Sequence, residues 1–130
     1  MTARQLLEAA RQARQHARCG YSGFAVGAAL LSNEGLIYSG CNIENTSYGL
    51  TVCAERVALL KALSEGVSQF QRIAIVTASD KPTPPCGPCR QLLWEYAGDI
   101  DVLLGNLKKQ TASYRLSKLF PIPFEASFIK

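Results

Sequence analysis

Two short stretches of this 130-residue sequence hold residue types whose spacing could do chemistry: Cys53-Ala54-Glu55-Arg56 and Pro85-Cys86-Gly87-Pro88-Cys89-Arg90. A Cys-X-X-Cys pair alone says little, because shuffling the five cysteines through the chain gives some pair at that spacing about one time in seven. A third cysteine beside a glutamate changes what is on offer. Both stretches fall where a loop enters an expected helix, and the outward N–H groups of a helix start favour thiolates. Three thiolates from two such starts can grip zinc and leave the fourth tetrahedral position to water, which is the arrangement of a catalytic site. A structural zinc would want a fourth ligand, and the sole histidine, His16, is expected on the exposed side of the first helix. Glu55, two residues from Cys53, is placed to take a proton from that water and deliver it to a substrate nitrogen. Three thiolates outweigh the charge of Zn²⁺ and make the water a poorer acid. Arg56 and Arg90 are expected to offset this by donating to the ligand sulfurs. Cys19 and Cys41 match no ligand position and read as packing residues.

The same cysteines admit other chemistries. Cys86-Gly87-Pro88-Cys89 is also the pattern of thioredoxin-like redox proteins, in which a thiolate at a helix start attacks a disulfide. Those proteins usually carry the motif directly after an early strand, with tryptophan before it. Here a proline-rich loop precedes it, and Cys53-Ala54-Glu55 would have no use. A non-catalytic zinc module binding nucleic acid through basic residues is opposed by the missing fourth ligand and by the glutamate.

Composition narrows the setting. With 48% hydrophobic and 18% charged residues, the chain is expected to form one compact domain spanning residues 1–130. The longest apolar stretches, such as Phe24 to Leu31, fall far short of the roughly 20 residues of a membrane span. Met1 to Arg18 carries Arg4, Glu8, Arg11, Arg14 and Arg18 and has no apolar run for a secretory signal, so a cytoplasmic location is expected. An odd number of cysteines argues against a disulfide framework. The net charge of +4 could suggest nucleic acid, but Arg4, Arg11, Arg14 and Arg18 share one side of the first helix and read as a solvated face.

The elements that position the motifs follow from patterning. Thr2 with Gln5 reads as a capping box, and Leu6, Leu7, Ala10, Ala13 and Ala17 recur at helical spacing to about Arg18. Phe24 to Leu31 and Leu36 to Asn42 read as strands joined by a Ser32-Asn33-Glu34-Gly35 turn. Glu44 to Leu50 is polar and turn-rich. A second helix is expected from Cys53 to Leu63, a strand at Ile73 to Val76, and a loop from Ser79 to Pro85. A third helix should begin near Pro88 and run to Tyr96. Asp101 to Leu104 and Gln110 to Ser113 read as strands, and Arg115 to Leu119 as a short helix. The pattern predicts a three-layer α/β fold whose later strands run parallel.

Taken together, these blocks resemble the small zinc-dependent cytidine deaminases. The resemblance rests on Tyr21-Ser22-Gly23-Phe24-Ala25-Val26-Gly27-Ala28-Ala29-Leu30, Gly40-Cys41-Asn42-Ile43-Glu44-Asn45, Cys53-Ala54-Glu55-Arg56 and Cys86-Gly87-Pro88-Cys89-Arg90-Gln91, and runs from about Tyr21 to Phe124. It implies a mixed β-sheet of about five strands with helices on both faces. It also implies one zinc held by Cys53, Cys86 and Cys89, with Glu55 moving protons while water attacks C4 of cytosine and ammonia leaves. Phe24 and Ala54 are implied to face the nucleoside, and Asn42 and Glu44 to bond the ribose hydroxyl. A homotetramer is implied in which Tyr48 and Phe124 help enclose sites across subunits. A carboxylate at Glu44 would repel a phosphate, so free nucleosides are expected as substrates rather than nucleotides or polynucleotides. The alternative is a deaminase acting on a nucleoside-like antibiotic or on a base within a nucleic acid, against which the resemblance at Asn42-Ile43-Glu44 speaks. Gly20 and Pro84 depart from the family pattern, which often has proline and serine there.

Overall fold

The computed structural model describes residues 1–130. Helix α1 (Ala3–Arg14) precedes the hairpin β1 (Val26–Ser32) and β2 (Ile37–Cys41). Then come α2 (Ala54–Ser64), β3 (Phe70–Thr77), α3 (Gly87–Ala97), β4 (Asp101–Asn106), β5 (Thr111–Arg115) and α4 (Leu116–Leu119). Short 3-10 turns occupy Tyr48–Leu50 and Ala126–Phe128. The strands form one five-stranded sheet in the order β2-β1-β3-β4-β5.

Alternating side chains of the central strands feed two separate cores, because successive residues of a strand point to opposite faces. Ala29, Leu31, Ala74, Val76 and Leu103 meet Leu6 and Ala10 of α1. Ala28, Leu30, Ile73, Ile75, Val102 and Leu104 meet α2 and α3 through Ala58, Leu59 and Leu93. The expected three layers are therefore present, with helices on both faces. No helix is long and apolar enough to cross a membrane.

Only β3 and β4 run parallel, joined by α3; the β4–β5 pair is antiparallel. The expectation of parallel later strands thus fails at β5. A connection from Asn106 to Thr111 is a hairpin turn, far too short for the crossover that a parallel pair needs. Helix α1 closes its capping box as expected, with the Gln5 N–H donating to Thr2 Oγ1 at 3.2 Å and the Thr2 N–H to Gln5 Oε1 at 2.8 Å. It stops at Arg14 rather than Arg18, since Arg18 pairs instead with Ile43 in an isolated bridge. Arg14 leaves the solvated face as well, donating through Nε to the Ala25 carbonyl at 3.0 Å. His16 is exposed, whereas Cys19 and Cys41 are only half-buried.

One contact sets the position of α2. A Cβ built on Gly40 of β2 would lie 2.7 Å from both the Ala54 carbonyl oxygen and the Ala58 nitrogen. Both are backbone atoms of the first turns of α2, so any side chain at position 40 must lift the helix that Cys53 caps. Gly40→Ala is expected to destabilise the protein by about 3 kcal/mol, the upper part of the usual overpacking range. It should also lower zinc content. Urea unfolding together with metal analysis checks this, and a wild-type midpoint with full zinc would refute it.

Candidate active site

Cys53 and Cys86 are the N-cap residues of α2 and α3, and Cys89 lies in the first turn of α3. Both caps have extended backbone, and α3 carries proline in its first turn. The three sulfurs lie within 4.8 Å of each other, with Cys53 and Cys86 at 3.8 Å and Cys86 and Cys89 at 3.3 Å. Zinc–thiolate bonds of about 2.3 Å in a tetrahedron separate sulfurs by about 3.8 Å, so the spacing suits that ion.

The protons on these thiols are unevenly shared. Cys89 is fully buried, and bonding to Cys53 together with burial pushes its thiol far above the usual range. Cys53 moves the opposite way, because the Cys89 thiol donates to it and the Arg56 guanidinium lies beside it. Arg56 donates through Nη2 to the Thr51 carbonyl at 2.7 Å, while its buried Nε has no acceptor. A buried donor without a partner is costly, and a ligand thiolate is the acceptor that such a group calls for. The donor set and this orphaned N–H both fit a zinc ion.

Arg90 behaves differently from expectation. Its Nε donates to the Pro85 carbonyl at 2.7 Å and its Nη1 to the Leu119 carbonyl at 2.5 Å. Both bonds are to backbone, so Arg90 ties the cysteine loop to α4 instead of donating to sulfur. A guanidinium fork offers five N–H donors, and two of them are taken by these carbonyls.

Glu55 lies one residue into α2, only 5% exposed. Burial raises its carboxyl to about 7, with a further push from the neighbouring Cys53 thiolate. A carboxyl poised there can both take and give a proton near neutral pH. It lines a pocket of about 280 Å³ together with Cys53, Cys86, Ala54, Phe24, Asn42 and Glu44. The pocket opens at the carboxyl end of β3, where open α/β sheets commonly bind ligands.

Two further lining side chains are held in place by hydrogen bonds. Asn42, 7% exposed, accepts from the Val26 N–H at 2.9 Å and donates to the Phe24 carbonyl at 2.8 Å. Glu44 accepts from the N–H groups of Tyr21 and Ser22, at 3.1 and 3.0 Å, and from the Ser22 hydroxyl. The Ser22 bonds are the main reason its carboxyl is held below the usual range. Phe24 borders the pocket at 40% exposure.

Two expected participants lie elsewhere. Tyr48 is 76% exposed and sits in an adjoining recess, edge-on to Tyr21 with ring centres 6.3 Å apart. Phe124 stacks on Phe128 at 6.0 Å, and its carbonyl accepts from Gln91 Nε2 at 2.8 Å. Neither reaches the Glu55 pocket within one chain.

Sequence reasoning also missed residues that matter here. Thr77 and Thr83 line the pocket and share a hydroxyl–hydroxyl bond of 3.0 Å, clasping the proline loop to the end of β3. Asn106 reinforces the clasp, donating through Nδ2 to the carbonyls of Ser79 and Asp80 at 3.1 and 2.9 Å. A threonine closing the apolar run Ile73-Ala74-Ile75-Val76 was the available signal, since a hydroxyl buried at a strand end needs a partner.

The model of the family described as "Cytidine and deoxycytidylate deaminase zinc-binding region" matches residues 1–104. The chain belongs to that family. Among curated members of this deaminase family, the cytidine deaminase of Halalkalibacterium halodurans is 48% identical over 127 residues, covering 97% of this chain and 96% of that one. The cytidine deaminase of Sporosarcina psychrophila is 45% identical over 125 residues, covering 95% and 92%. The crystal structure of cytidine deaminase from Burkholderia pseudomallei superposes with a TM-score of 0.93 at 43% identity, covering 95% of this chain and 100% of that one. Membership in a zinc-binding deaminase family leaves the thioredoxin-like reading of Cys86 and Cys89 without support.

Proposed function

We propose that this protein is a zinc-dependent cytidine deaminase, converting cytidine and deoxycytidine with water into uridine and deoxyuridine plus ammonia. The observation that carries the reading is the buried Glu55 carboxyl beside three thiols that fit zinc, at the base of a pocket of about 280 Å³. Cys53, Cys86 and Cys89 would hold the zinc, and the chemistry it would supply there is an acidified water able to act as nucleophile at neutral pH. Glu55 would take a proton from that water and hand it to the ring nitrogen as the hydroxide adds to C4. It would then take the second proton from the added hydroxyl and deliver it to the amino group, which leaves as ammonia while the oxygen stays on C4 as the carbonyl. A carboxyl held near 7 suits both directions of transfer.

Phe24 and Ala54 border the base, while Asn42 and Glu44 receive the ribose. Both polar groups retain capacity for a ligand. A carboxylate has about four acceptor positions, and Glu44 uses three; the Asn42 amide keeps one N–H free. An ionised Glu44 favours a hydroxyl and repels a phosphate.

The active form we propose is a homotetramer. Tyr48, Leu50, Ile122, Phe124 and Phe128 are exposed in the isolated chain, and a neighbouring copy covering them would bring Tyr48 and Phe124 to adjoining pockets. Ligand cysteines must stay reduced to bind metal, which suits the cytoplasm.

A substrate panel with zinc quantification tests this function. Cytidine and deoxycytidine are expected to be turned over, with cytidine monophosphate at least about tenfold poorer in kcat/KM and adenosine and guanosine inert. Comparable turnover of the monophosphate would overturn the role given to Glu44. No turnover of either nucleoside by zinc-loaded enzyme would overturn the function.

A further inference from the structure

The pocket beside Glu55 is smaller than a second concavity of about 530 Å³ on the other face of the sheet, between α1 and the β4–β5 turn. Neighbouring residues of β3 divide between the two: Val76 faces the α1 side, while Ile75 and Thr77 face the Glu55 pocket. Its volume lies within the range of small-molecule sites, roughly 300–1,000 Å³.

Its lining has two parts. Leu7, Val76 and Leu107 supply apolar surface, and Gly105 keeps that floor open, since a Cβ there would come within 3.1 Å of the Leu7 side chain. Around them stand Arg4, Arg11 and Lys109, against the single carboxylate of Glu8. Glu8 lies 3.5 Å from Arg11, which leaves Arg4 and Lys109 without an ion-pair partner. The wall carrying Lys109 is preformed. Asn106, 5% exposed, accepts from the N–H groups of Lys108 and Gln110 at 3.0 Å each, fixing the turn from the inside.

We infer that this concavity is a second ligand site, for a phosphate-bearing molecule with a flat apolar body, of the size and class of a nucleoside monophosphate. The cations receive the phosphate, and the Leu7–Val76 floor receives the ring. The two pockets then sort ligands by charge. The one beside Glu55 presents the Glu44 carboxylate and turns phosphate away, while this one attracts it.

The test is calorimetric titration of the zinc-loaded protein with uridine monophosphate, repeated with excess uridine and with inorganic phosphate as the ligand. One monophosphate per chain is expected, undisplaced by uridine, with inorganic phosphate at least about tenfold weaker. The Arg4→Gln, Lys109→Gln double variant should weaken the monophosphate about tenfold or more while its cytidine turnover matches wild type. Both side chains are exposed, so the fold should survive, and the turnover assay reports it. Four outcomes would each overturn the inference: no binding at millimolar ligand, displacement by uridine, equal affinity for inorganic phosphate, or unchanged affinity in the double variant.

Discussion

Glu55→Gln is expected to retain full zinc and lose turnover of cytidine by about 10²- to 10⁴-fold, the usual contribution of a positioned proton-transfer group. The amide matches the carboxyl in shape, so the buried position beside Cys53 and Cys89 stays filled. What disappears is the ability to accept a proton. Binding of cytidine should change much less than kcat, because the contacts proposed for the sugar are made by Asn42 and Glu44 rather than by Glu55. Steady-state kinetics beside metal analysis separates the two effects. Activity within a few-fold of wild type would remove Glu55 from the mechanism, and loss of zinc would recast it as a support for the metal.

The second large effect is expected at Cys89. Cys89→Ser removes one of three sulfurs and leaves a hydroxyl in a site where the cysteine is fully buried. Zinc should fall from one per chain to near zero, and the melting temperature should drop by roughly 10 °C, since a few kcal/mol shift a chain of this length by that amount. The reason is architectural. Helices α2 and α3 meet at their starts through Cys53, Cys86 and Cys89, and metal binding there is also folding free energy. Wild-type protein stripped by chelator should melt close to the variant, which separates loss of metal from local damage. Full zinc retention in Cys89→Ser would exclude that sulfur as a ligand.

Much of the site is legible in the sequence, for a physical reason. Helix starts are local events, so Pro88 and the placement of Cys53 and Cys86 as caps could be read from neighbouring residues alone, to within a residue or two. Three cysteines and Glu55 then had few ways to meet. The remainder depends on partners distant in sequence. A charge argument points Arg90 to sulfur, but its Nε and Nη1 are taken by the carbonyls of Pro85 and of Leu119, the latter distant in sequence. The direction of β5 followed from a tight turn whose hub, Asn106, also reaches back to Ser79. Helix α2 lacks a clean helical stripe because Leu60 stays exposed while Glu55 is buried, so caps rather than periodicity located it. Tyr48 and Phe124 were assigned by resemblance to a pocket that one chain does not bring them to.

The bonds of Glu44 to Tyr21 and Ser22 bear on how such an enzyme could change its tastes. The carboxylate proposed to greet the sugar is also the clamp on the segment that carries Phe24. A lone substitution at position 44 therefore alters recognition and loosens the wall in the same step. New sugar preferences are reached along paths that change positions 22 and 44 together, and libraries varying one site at a time will record them as dead ends.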